Sequence, residues 1–147
     1  MANCMIDTYF RIDGAFVRVS EFSGSMPDSD YLEGAIVCTI DGRGLLGLEH
    51  WDLVDQLWAY IVNGLIVLDQ ENHFTCCFPD QALRLRFDKI GQDLVRVTVG
   101  DESHEVESAA LRSVLKQGAM DFFSVMKAVH PAASETWDEY LSKANTL

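Results

Sequence analysis

The stretch "ALRLRFDKIGQDLVRVTV", residues 82–99, constrains the fold more than any other part of the chain. Leu83, Leu85 and Phe87 alternate with Arg84, Arg86 and Asp88. After the turn signal Gly91-Gln92-Asp93, Val95, Val97 and Val99 alternate with Leu94, Arg96 and Thr98. A period of two sends successive side chains to opposite sides of a strand, so this stretch predicts antiparallel strands with one apolar and one wet face. Arg84, Arg86 and Arg96 are expected to gather on the wet face, where they offset part of the first half's negative charge or, alternatively, bind an anion. "HFTCCF" before it reads as another strand, "PDQ" as a turn, and "GDESHEVE" after it as a turn and a short edge strand.

The first forty-odd residues carry a second strand signal. Asp-Gly between two strand-like runs, as in "TYFRIDGAFVRV", is the strongest short hairpin signature. It pairs Ile12 with Ala15, Phe10 with Val17 and Thr8 with Val19, leaving Tyr9, Arg18, Arg11 and Phe16 on the other face. The device recurs at Asp41-Gly42 after "AIVCTI", and "SGSMPDSD" between the two reads as a loop.

The period then changes. Trp51, Val54, Leu57, Trp58, Ile61, Leu65 and Leu68 recur at helical spacing, predicting a helix from about Glu49 to Leu68. Asn63-Gly64 lies inside it and leaves "LIVLDQ" open as an exit segment or short strand. A second stripe runs through Leu111, Val114, Leu115, Phe122, Val125, Met126 and Val129 until Pro131. A third places Trp137, Tyr140 and Leu141 together, with Ser134 as expected N-cap. Phe122 and Phe123 are adjacent, so one of them, with Tyr140 or Trp137, is expected to be left for a subunit or partner contact. The expectation is one α+β domain over residues 1–147: a largely antiparallel sheet of about six or seven strands, one central amphipathic helix and two C-terminal helices packed on one face.

Charge narrows the functional classes. The chain has 23 acidic residues against 11 Lys and Arg, and 13 of the acids precede residue 81, where only Arg11, Arg18 and Arg43 oppose them. Such a field repels phosphate backbones, so nucleic acid is not an expected ligand. No apolar run approaches a membrane span and no leader pattern opens the chain, so a cytoplasmic protein without membrane contact is expected. Cys4, Cys38, Cys76 and Cys77 lack metal-site spacing and read as small core residues.

The stretch "GLEHWDLVDQLWAY", residues 47–60, is the one concentration of polar groups that resembles a site. Glu49, Asp52 and Asp55 share a face if the segment is helical, whereas His50 and Asp52 diverge by about 200° and cannot share an ion. Negative charge near a helix start is favoured by the helix dipole, which accounts for these acids without a metal. Gly42, Gly44 and Gly47 only superficially resemble a phosphate loop, because Glu49 and Asp52 would repel the anion. No nucleophile-base arrangement surrounds Cys76 and Cys77, and the four histidines form no known motif. No catalytic residue, metal or cofactor is therefore assigned. Glu49, Asp52 and Asp55, with Asp28, Asp30 and Glu33 just upstream, are read as a docking surface for a basic protein partner. Small acidic immunity proteins use the same electrostatic logic to neutralise basic toxins, although no motif of theirs is matched. The competing expectation is a small enzyme or ligand-binding domain with an apolar pocket between sheet and helices. The paired aromatics leave a homodimer open.

Overall fold

In a computed structural model, the protein is described over residues 3–24, 26 and 31–147. It is an α+β fold in which nine strands among those residues form two antiparallel sheets, joined by three α-helices. The first sheet contains β1 (Cys4–Ile12), β2 (Ala15–Arg18), β3 (Glu33–Ile40) and β4 (Arg43–Leu46) in the order β2-β1-β3-β4, with the short β5 (Asp52–Leu53) pairing the other end of β3. The second is a meander of β6 (His73–Cys77), β7 (Arg84–Lys89), β8 (Leu94–Val99) and β9 (Glu102–Glu107). The expected single sheet is divided because helix α1 (Val54–Glu71) intervenes, and no strand after it pairs with one before it. The C-terminal helices are α2 (Ser108–Val129) and α3 (Ser134–Asn145).

Both Asp-Gly turns take left-handed backbone angles, with φ of 52° and 81° at Asp13 and Gly14 and 51° and 79° at Asp41 and Gly42. Such turns match the twist of the strands they join. They set the register Phe10 with Val17 and Ile12 with Ala15 in one hairpin, and Ile40 with Arg43 in the other. Thr8 does not pair with Val19, which has already entered a short 3-10 turn at Val19–Glu21. Thr8 Oγ1 instead accepts a hydrogen bond from Trp58 Nε1 at 3.1 Å, satisfying the indole of a wholly buried tryptophan.

The helix begins at Val54, five residues later than its apolar stripe suggests. Residues 48–50 form a 3-10 turn closed by the Gly47 amide, which donates to His50 Nδ1 at 3.1 Å. Asp52 and Leu53 are then drawn into pairing with Gly34 and Glu33 of β3, and the Val54 amide donates to the Leu32 carbonyl. Glu49, Asp52 and Asp55 therefore do not share a helix face, and Trp51 leaves the apolar stripe for the surface.

Past Gly64 the helix continues to Glu71, so "LIVLDQ" is helical. A Cβ at Gly64 would lie 2.5 Å from the Phe74 ring, and one at Gly118 of α2 would lie 2.6 Å from Ile6 and 2.7 Å from Trp58. Each glycine admits a strand or ring that any larger residue would hold off. In α2, Phe122 and Phe123 are both buried, against the expectation that one would be left exposed. The helix has partners on two sides: Phe122 meets Phe10 of β1 edge to face, and Phe123 stacks on Trp137 and Tyr140 of α3. Ser134 is the first residue of α3, with Ala133 in the cap position and no side-chain cap bond.

α1 and α2 each contact both sheets, and β4 approaches β8, so the core lies where the sheets and helices meet. Leu45, Leu46, Ile61, Leu85, Phe87, Val97, Leu111 and Leu115 surround a residual space of about 10 Å³ there. That is no more than one water requires, so side chains fill this part of the core. On the wet face of the second sheet, Arg86 pairs with Asp88 at 2.8 Å and Arg96 with Glu105 at 3.1 Å.

Candidate functional site

The clearest polar concavity lies where the two sheets adjoin. It is an open cleft of about 250 Å³ lined by Glu33 from β3, Glu49 from the 3-10 turn, Trp51, Asp52 and Leu53 from the entry to α1, and Asp80 and Gln81 from the turn after β6. Glu33, Glu49 and Asp52 were expected to belong together, and they do line one wall system, although strand pairing and a turn assemble them in place of a helix face.

Their roles differ with burial. Asp52 is only 3% exposed. Its Oδ1 accepts the amides of Leu53 at 2.7 Å and Asp80 at 3.0 Å, and its Oδ2 accepts Gln81 Nε2 at 2.9 Å. Gln81 Nε2 also donates to the Trp51 carbonyl at 2.9 Å. Three donors satisfy this buried carboxylate, and through them it pins the 79–82 turn to the segment leading into α1. Asp52 thus forms the floor of the cleft, with little surface for an incoming charge.

Glu49 is accessible, its side chain 74% exposed, and Asp80 in the same lining is also exposed. The Glu49 carboxylate folds back over Gly47, where a Cβ would collide with it. Glu33 is half-buried and receives Arg11 Nη1 at 3.2 Å. The same guanidinium lies over the Trp51 ring, 4.1 Å from its centroid. An arginine from within the chain thus occupies an aromatic and carboxylate seat at the edge of the cleft.

The remaining expected residues fall elsewhere. Asp55 sits in the first turn of α1, outside the cleft lining, near His130 at the end of α2. Burial raises its pKa above the usual carboxylate value, with backbone amides and His130 opposing that rise. Asp28 and Asp30 lie outside the described residues. Asp80, Gln81 and Arg11 were missed as site residues. "PDQ" reads only as a turn and Arg11 only as a strand residue facing Phe16, since contacts over separations of 22 to 40 residues leave no local pattern.

Other chemistry has little support in the geometry. Among the described residues no group of three or more His, Cys, Asp or Glu converges in a way that could hold a metal. The Cys38 thiol is pushed up to about 12 and that of Cys76 to about 11, chiefly by burial, so neither is poised as a thiolate nucleophile. Among the described residues no helix is long and apolar enough to cross a membrane. Comparison with protein-family models, with curated proteins and with solved structures finds no match to this chain.

Proposed function

We propose that the protein is a binding module whose acidic cleft docks a basic protein partner, in the manner of small acidic proteins that neutralise basic toxins. The observation that carries this reading is the Arg11 seat. One guanidinium already rests between the Trp51 ring and Glu33, and Glu49 and Asp80 extend the same acidic lining into open solvent. A partner's arginine or lysine entering beside it meets Glu49 and Asp80, neither of which pairs with a lysine or arginine among the described residues, Glu49 having only the His50 ring beside it. Exposed Leu48 and Trp51, 38% and 37% accessible, add apolar surface at the rim. Aromatic surface framed by charge is the composition of a protein contact.

The docking charges in this reading are Glu49, Asp80 and Glu33, with Asp52 holding the floor. A fluorescent hexa-arginine peptide serves as probe. Glu49→Gln with Asp80→Asn should slow its association about threefold to tenfold at low salt and flatten the salt dependence, as expected when rim charges steer encounter. Glu71→Gln with Asp93→Asn, at the C-terminal end of α1 and in the β7–β8 turn, should leave the rate within about twofold, as for charges at the opposite end of the second sheet. Equal effects of the two double variants would reduce the interaction to net charge and refute the cleft as the docking site.

A further inference from the structure

β6 is an open edge of the second sheet, and its backbone is arranged to pair with a copy of itself. The Phe78 amide donates to the Leu83 carbonyl at 2.8 Å, and the Lys89 amide donates to the Asn72 carbonyl at 2.9 Å. In an antiparallel ladder residues alternate between bonding the neighbour and pointing away from it. Even-numbered residues 72 to 78 therefore bond β7, and His73, Thr75 and Cys77 direct their amides and carbonyls outward. Among the described residues these outward groups have no backbone partner, and all three residues are exposed.

The two outer edges of this sheet differ in chemistry. β9 carries Glu102, Glu105 and Glu107, which discourage another strand from joining. β6, "HFTCC", has no Asp, Glu, Lys or Arg. In a chain with a net charge of −12 it is a strand edge that a second copy can approach without opposing carboxylates within the strand.

We propose that β6 is a self-association edge, at which a second copy of this chain adds its own β6 antiparallel about a two-fold axis through Thr75. This register sets Thr75 opposite Thr75 and His73 opposite Cys77 of the second copy. All of them are outward-bonding residues, so every free amide and carbonyl of the strand gains a partner. A register displaced by two residues leaves one end of each strand unpaired. On the inner face, the half-buried Phe74 meets Cys76 of the second copy, once on each side of the axis, which covers apolar surface now open at the edge and forms sulfur-aromatic contacts. On the outer face, Asp88 beside His73 and Arg84 beside Cys77 fall in one row across the junction. They are about 14 Å apart at three strand spacings, so their opposite signs favour this register only weakly.

A ladder this short buries less than a standard interface and predicts a weak, reversible dimer with a dissociation constant of about 10 μM to 1 mM. Added salt should strengthen it by screening the repulsion between two acidic bodies. Sedimentation velocity over that concentration range tests it directly. The wild-type chain should shift from monomer to dimer. Thr75→Pro should stay monomeric with an unchanged near-ultraviolet dichroism spectrum, because the amide it removes bonds nothing within the copy and proline suits an edge. Thr75→Lys, which leaves the backbone donor in place and sets like charges face to face, should likewise stay monomeric. In a Cys77→Ser background, Thr75→Cys should form an intermolecular disulfide with oxidised glutathione, since opposed residues lie within disulfide reach. A wild-type chain that remains monomeric, including one that instead binds an extended segment of another protein, overturns the proposal. So does a dimer that survives both the Pro and Lys substitutions, or one that yields no Thr75→Cys cross-link.

Discussion

Asp52 illustrates how little a residue's type says about its task. In the sequence it is one of several acids beside a tryptophan; in the fold its carboxylate gathers two amides and a glutamine. Asp52→Ala strands those donors and should destabilise the protein by about 2–4 kcal/mol in urea unfolding. Asp52→Asn keeps one acceptor but turns an NH2 toward Gln81, and should cost roughly half as much. Asp55 runs the other way. Burial raises its folded pKa above the unfolded value of about 3.8, so the native state holds this proton more tightly. Its contribution is therefore fully present below the unfolded pKa and is lost as pH rises through the folded one. Asp55→Asn should stabilise the chain at neutral pH, with the advantage vanishing in thermal melts below about pH 3.8. Neither role was legible in advance, because Glu49, Asp52 and Asp55 look equivalent until strand pairing buries one, half-buries another and leaves the third in water.

At the scale of elements, local patterns carried far. The alternation in residues 83–99 and the two Asp-Gly turns specify strands that the structure reproduces, and the first turn specifies the Phe10–Val17 and Ile12–Ala15 pairs though not Thr8–Val19, since a slip of one residue would expose a whole apolar face. Helix α1 was legible in its stripe, but not its ends. Its start depends on β3 capturing Asp52 and Leu53, and its continuation through Gly64 depends on Phe74 arriving from the next strand. Gly64→Ala, which would stabilise a solvent-exposed helix, should here cost about 1–3 kcal/mol by forcing the ring away. In a Phe74→Ala background the same change should be near neutral, and a double-mutant cycle measures the difference. Phe123 gives the same lesson: two adjacent aromatics can both be buried when a helix is packed from two sides.

For the whole molecule, class and mixed architecture were readable from the order of periods, whereas the division into two sheets was not, because pairing between distant strands is a tertiary choice. The acidic excess near the N-terminus was visible as a charge imbalance, but its convergence with Asp80 required the fold. Cys38, wholly buried in β3 with its thiol raised to about 12, provides a probe of global opening. Its alkylation should be undetectable while exposed Cys77 reacts, and should appear only with complete unfolding, as timed peptide mass mapping would register. Helix α2 has one further consequence. Its 22 residues make a strut about 33 Å long that touches both sheets without a break at Gly118. A cleft at the junction of two sheets would ordinarily open and close by their relative swing. Braced by this strut and by the Asp52 tie, this one is held as a fixed mould, so in the docking proposed above adaptation would fall to the guest and the rate would be set by encounter rather than by a gate.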